Sequence, residues 1–181
     1  MNVMKTAFAG LISVCLVACS TPPATYASQS DDYSFSLDQD TPGGKFSSWM
    51  GHKPSANGRL SASVTVTSPR PTDRWTPFVA VELCATRSCA DVGRLEIGFD
   101  PEGVANVNVR NGAQVLGKRS IEGDFKIGKT IAIDLSWHGG DYMEARLNGS
   151  EAQRLNISFV PAAIRIISGS ADVTVTDISV Q

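Results

Sequence analysis

The chain has 181 residues, with 16 Lys and Arg against 18 Asp and Glu and a formal net charge of −2. A mildly acidic chain with no basic run lacks the electrostatic footprint that nucleic acid or an anionic membrane surface requires, so no nucleic-acid partner is expected. The length fits one domain.

Residues 1 to 18 read as a secretory signal peptide, with Lys5 as the one charge before an uncharged, mostly apolar run from Thr6 to Ala18. That run is shorter than the roughly 20 apolar residues of a spanning helix, and Ser20-Thr21-Pro22-Pro23 cannot continue it. Leu16-Val17-Ala18-Cys19 resembles the lipobox of bacterial lipoproteins. The resemblance implies cleavage after Ala18, a diacylglyceryl group on the Cys19 sulfur, and attachment to the membrane of the cell envelope through that lipid. One acyl chain holds a protein only marginally, whereas two or three anchor it stably. Ser20, standing where an aspartate would signal retention, implies the outer membrane. The mature chain would have 163 residues (181 − 18) and, with Lys5 removed, 15 basic against 18 acidic residues. Residues 19 to 32, rich in Pro, Ser, Thr, Ala and Gln, are expected to form a flexible tether, and residues 33 to 181 the folded domain.

Tyr33-Ser34-Phe35-Ser36-Leu37 alternates and is expected to be the first strand, followed by a break at Thr41-Pro42-Gly43-Gly44. Beyond residue 58 the apolar period is two, and helical spacing is absent. In GRLSASVTVTS the inward set is Leu60, Ala62, Val64 and Val66. FVAVELCA is apolar on both faces except at Glu82, the mark of a central strand.

Parity sets the register of two hairpins, because directly opposed residues of an antiparallel pair share a face. In RLEIGFDPEGVANVNVR, a loop at Pro101-Glu102-Gly103 pairs Phe99 with Ala105, Ile97 with Val107 and Leu95 with Val109. In TIAIDLSWHGGDYMEARLNG, the register that puts all apolar residues on one face sets Trp137 against Met143, Leu135 against Ala145 and Ile133 against Leu147. The other face then carries His138 with Tyr142, Ser136 with Glu144, and Asp134 with Arg146. Asn148-Gly149 is a tight-turn signal that places Glu151 opposite Arg146. In ADVTVTDISVQ the apolar phase flips between Val175 and Ile178, so a bulge is expected near Thr176 or Asp177.

The fold expected is therefore an all-β antiparallel β-sandwich in a single domain. Residues 58 to 180 resemble a concanavalin A-like (lectin/glucanase, laminin-G-like) jelly roll, through GKTIAIDLSWHGGDYMEARLNG and the closing AIRIISGSADVTVTDISV. Immunoglobulin-like and other jelly-roll sandwiches share the same alternation.

Of the four cysteines, Cys15 leaves with the signal and Cys19 takes the lipid, so Cys84 and Cys89 are expected to pair as one disulfide in an oxidising compartment. Members of the resembled family that hydrolyse β-glucans carry Glu-x-Asp-x-x-Glu on one strand. The nearest run here, Glu122-Gly123-Asp124-Phe125-Lys126-Ile127, has Ile at the third position, and no catalytic residue is assigned. Asp38 and Asp40 fall short of a calcium loop, and neither metal nor cofactor is expected. A carbohydrate site needs an aromatic plane and polar groups beside it. Trp49, Trp75, His138, Tyr142, Glu144 and Arg146 are the candidate ligand-binding residues, with Trp49 and Trp75 expected beside turns. Their bland reading is two core caps and a solvated charge cluster. The function expected is a lipid-anchored, non-enzymatic envelope module that binds a glycan or an envelope protein. The alternatives are an envelope polysaccharide-acting enzyme and an inhibitor or immunity-type lipoprotein.

Overall fold

In the computed structural model, residues 33–52, 54–100, 105–111 and 125–181 are described, and their alternation becomes two packed antiparallel sheets. The signal peptide, Cys19, the tether, the Pro101–Gly103 turn and the Glu122–Asp124 run lie outside the described residues. The strands are β1 (Tyr33–Asp40), β2 (Phe46–His52), β3 (Asn57–Pro69), β4 (Phe78–Cys84), β5 (Val92–Phe99), β6 (Ala105–Asn111), β7 (Thr130–His138), β8 (Tyr142–Leu147), β9 (Gln153–Asn156), β10 (Ala163–Gly169) and β11 (Ala171–Val180). One sheet runs β1-β11-β3-β7-β8-β9 and the other β2-β10-β4-β5-β6. Consecutive strands that switch sheets make this a sandwich with crossed connections rather than a meander.

Every inward side chain assigned by parity in β3 is buried, and both hairpin registers are those expected. The core is one continuous cluster drawn from both sheets, with Trp137 fully buried in it. The Trp137 indole N–H donates to the Ser55 carbonyl at 2.8 Å, which satisfies the one polar atom its burial would otherwise strand. Gly58 lies under this ring: a Cβ there would collide with Trp137 and come within 2.6 Å of the Gln181 carbonyl, so only glycine fits.

Three local features differ from the sequence reading or refine it. The first strand runs on to Asp40, paired along β11 with a register shift between Phe35 and Leu37. The phase flip in β11 is met by a register shift between Thr176 and Ser179, with Asp177 at φ 52°. The third is a correction: Glu151 does not face Arg146. Asn148 and Gly149 form the expected turn at φ 49° and 71°, closed by Ser150 N–H to the Leu147 carbonyl at 2.9 Å. Ser150 Oγ then accepts the Leu147 N–H at 3.3 Å, doing the work of a strand partner, and the register moves by one residue. Glu144 consequently faces Arg154 across β8 and β9.

Candidate functional site

Alternation leaves each sheet an outer face, and the two faces differ. On β4 the inward residues are Val79, Val81 and Leu83, so Phe78, Ala80, Glu82 and Cys84 point outward. Glu82 faces Arg165 on β10 and Arg94 on β5. It is 1% exposed, and its two oxygens are divided between them: Oε1 accepts from Arg94 Nη1 at 3.0 Å, and Oε2 from Arg165 Nε at 2.5 Å. Arg94 also reaches Glu96 with Nη2 at 2.5 Å. A buried carboxylate is stable only with its charge matched and its lone pairs used, and this row supplies both. The result is a line of fixed donors and acceptors across three strands.

Aromatic side chains lie at one end of the same face. Phe78 faces Gly169 on one side and Gly98 on the other. Its ring lies where a Cβ on Gly169 would stand, and the Arg94 guanidinium sits 4.9 Å from its centroid, a cation–π contact. Phe46, across Gly169 on β2, is 65% exposed. Trp75, 49% exposed, is held by a tight turn in which Thr72 and Trp75 exchange backbone hydrogen bonds of 3.1 and 3.2 Å. Its Cδ1 would lie 3.8 Å from a Cβ on Gly44, two residues before Phe46, so the two exposed rings border the same end of the sandwich.

The other end of the face is closed by the Cys84–Cys89 disulfide, which the structure contains as expected. Cys84, Val92 and Ala163 form a small outer cluster with Met50 and Cys89 against it.

The outer face of the six-stranded sheet carries His138, Tyr142, Glu144 and Arg146 together, as the hairpin register requires. They line or border a shallow groove of about 390 Å³ with Arg59 and Asp134. Asp134 does not pair with Arg146 opposite it. Arg59 takes it in a bidentate pair at 2.7 and 2.6 Å. Tyr142 stacks on His138 at 4.6 Å, and the Arg154 guanidinium lies 4.0 Å from its ring centre. With His138 on the β7 side and Arg154 on the β9 side, the tyrosine ring offers little open plane to a sugar. Arg154 in turn donates to Glu144 at 3.0 and 2.7 Å.

The candidates therefore separate. Trp49 is removed from the set: it sits in the middle of β2 rather than beside a turn, is buried, and packs on Phe35 at 4.4 Å between ring centres. Trp75 stays exposed at the end of the five-stranded face. His138, Tyr142, Glu144 and Arg146 cluster on the opposite side of the molecule. Sequence reading missed Phe46, Phe78, Arg94 and Arg165. The available signal was Glu82, the one charge in an apolar run, which required partners on both neighbouring strands.

Among the described residues, Glu82, Cys84 and Cys89 are the one group whose possible ligand atoms converge, within 4.8 Å. The cysteines are joined to each other and Glu82 is held by two guanidinium groups, so the arrangement as it stands is a structural cluster.

No protein-family model matches the chain, and no curated protein is similar to it. Solved structures share its fold. The carbohydrate binding module CBM66 from Bacillus subtilis is similar with a TM-score of 0.56 and 11% identity, over 88% of this chain and 99% of that one. The galectin LEC-6 of Caenorhabditis elegans is similar with a TM-score of 0.52 and 17% identity, over 84% and 98%. Scytalido-glutamic peptidase is similar with a TM-score of 0.53 and 10% identity, over 68% of this chain and 63% of the peptidase, so the chain spans less than two thirds of that enzyme. At these identities the likeness is one of fold: the chain is an all-β sandwich of the architecture found in a carbohydrate-binding module and in galectins.

Proposed function

We propose that the protein is a non-enzymatic glycan-binding module, held at the outer membrane through a lipid on Cys19, and that the sugar lies across the outer face of the five-stranded sheet. The observation that carries this reading is the burial of Glu82 between Arg94 and Arg165 on a face that points away from the core. A sheet face that points away from the core has no structural need of a buried ion triad, and apolar residues of the same volume would serve stability as well. What the triad provides is a set of hydrogen-bonding groups locked in position on a face whose far end carries the exposed ring of Phe46 and is bordered by that of Trp75. Sugar hydroxyls ask for the first and the apolar face of a pyranose or furanose ring for the second. The carbohydrate-binding module and the galectin of like fold support this reading.

The polysaccharide-acting alternative needs two carboxylates free to serve as acid and base or nucleophile. On this face Glu82 and Glu96 are both engaged by Arg94, an arrangement that suits recognition better than proton transfer.

The test is a printed array of defined mono- and oligosaccharides probed with the purified, oxidised domain. Trp75→Ala and Arg165→Ala are expected to weaken the strongest signals by about tenfold or more, the loss typical of an anchoring contact. His138→Ala and Tyr142→Ala should leave them unchanged. The reverse pattern would move the site to the six-stranded face, and a blank array would remove the glycan reading. In cells, Cys19→Ala is expected to release the protein from the membrane fraction, and persistent membrane binding of that variant would refute the lipid anchor.

A further inference from the structure

We infer that the Cys84–Cys89 disulfide is a redox control on the glycan-binding face, acting through Glu82; this deepens the glycan reading and rests on it. The Glu82 carboxylate, Cys84 Sγ and Cys89 Sγ lie within 4.8 Å of one another. Cys84 follows Glu82 by two residues on the same outward row of β4, is fully buried, and forms with Val92, Ala163 and Met50 the wall that closes this end of the face. The wall also binds three chain segments. Ala162 N–H reaches the Cys84 carbonyl at 2.8 Å, Ala85 N–H reaches Asp91 at 2.9 Å, and Cys89 N–H reaches Thr86 at 3.0 Å. Cys89 is held at φ 51°, a left-handed conformation that costs a residue with a side chain energy and that the bond to Cys84 helps to maintain. The loop is thus fastened directly beside the carboxylate that orients Arg94 and Arg165.

The two sulfurs differ in access: Cys84 is buried, whereas Cys89 is partly exposed in the loop. A thiolate of an external dithiol attacks Cys89 Sγ, the Cys84–Cys89 bond breaks, and Cys84 leaves as a thiolate that takes up a proton. The second thiol of the reagent then closes its own disulfide and releases Cys89 as a thiol. The protein gains two electrons and two protons, and the dithiol is oxidised by the same number. With the bond gone, the loop from Ala85 to Asp91 relaxes and water enters beside Glu82. The two arginines then lose their fixed directions while both sheets stay paired.

The experiment uses the same printed sugar array together with amide hydrogen exchange, on protein that is oxidised, reduced with dithiothreitol, and reoxidised. Thiol labelling checks the state of Cys84 and Cys89 in each sample. Reduction is expected to lower the sugar signals about fivefold or more, the lower end of ordinary coupling between sites, and reoxidation to restore them. Exchange should quicken in β4 near Glu82, at the start of β5 and at the start of β10, and stay slow in β3, β7 and β11. A Cys84→Ala/Cys89→Ala protein should behave as the reduced one. Unchanged sugar signals in fully reduced protein would overturn the inference, as would exchange that quickens throughout both sheets, which would make the bond a global staple. An oxidised protein that marks no sugar would defeat the glycan reading instead. The two failures are separable because exchange is measured without sugar.

Discussion

Two outer faces of one sandwich use the same ionic chemistry in opposite settings. On the six-stranded sheet, the Arg59 and Asp134 side chains are 60% and 34% exposed, and their pairing is one that water and salt can replace. On the five-stranded sheet, Arg94 and Glu82 are 14% and 1% exposed, so neither can lose its partner to solvent without rearrangement. The lesson is that the number of ion pairs on a surface says little about where function lies. Their desolvation says more about rigidity, because burying matched charges adds little stability but fixes their geometry.

The sharpest way to break this comparison is to remove one carboxylate from each face. Glu82→Ala leaves two guanidinium groups facing a buried gap and is expected to cost about 3–5 kcal/mol in urea unfolding, whereas Asp134→Ala should cost less than about 1 kcal/mol. Equal losses would mean that Glu82 is effectively solvated. Next in size is a comparison of room above the sheets. Gly169→Ala drives a methyl group into the Phe78 ring and should cost about 1–3 kcal/mol, while Ala132→Val, exposed on the outer face of the six-stranded sheet, should stay within about 0.5 kcal/mol. The smallest effect concerns acid. Hydrogen bonding from the Arg70 guanidinium holds the Asp40 carboxyl below the ordinary carboxylate range. Asp40 therefore contributes its stability above the unfolded-state value, and loses it as pH falls through the lowered folded-state value. Asp40→Asn should lower stability slightly at neutral pH, where the charged carboxylate contributes, leave it unchanged in strong acid, and so flatten the acid limb of the stability curve. A steeper limb would reverse the assigned sign.

The hairpins were legible in the sequence because a side-chain period of two makes any one-residue slip visible as apolar groups on the wrong face. That logic places Trp137 in the core and aligns His138 with Tyr142 from the sequence alone. It failed after Asn148-Gly149, where Ser150 substitutes its hydroxyl for a backbone partner, a local bond that periodicity does not register. It also failed at Trp49, because Phe46-Ser47-Ser48-Trp49-Met50 has no clean alternation and the true inward set includes a serine and a glycine. The ion triad was half legible. Glu82 stands out in its run, but Arg94 is 12 residues away and Arg165 is 83, and only strand order brings the latter beside it. The aromatic end was the least legible part, since Phe46 and Trp75 are brought to one end of the sandwich by two turns that connect opposite sheets.

The direction of β1 has a consequence for how the two poles of the molecule differ. Tyr33 pairs with Val180, and Asp40 with Asp172 beside the turn that leads into Phe46. Tyr33 therefore lies at the pole opposite Phe46 and Trp75, about 25 Å away by the length of the eight-residue strand. The first strand begins at the pole that carries the disulfide loop, with the exposed rings at the other.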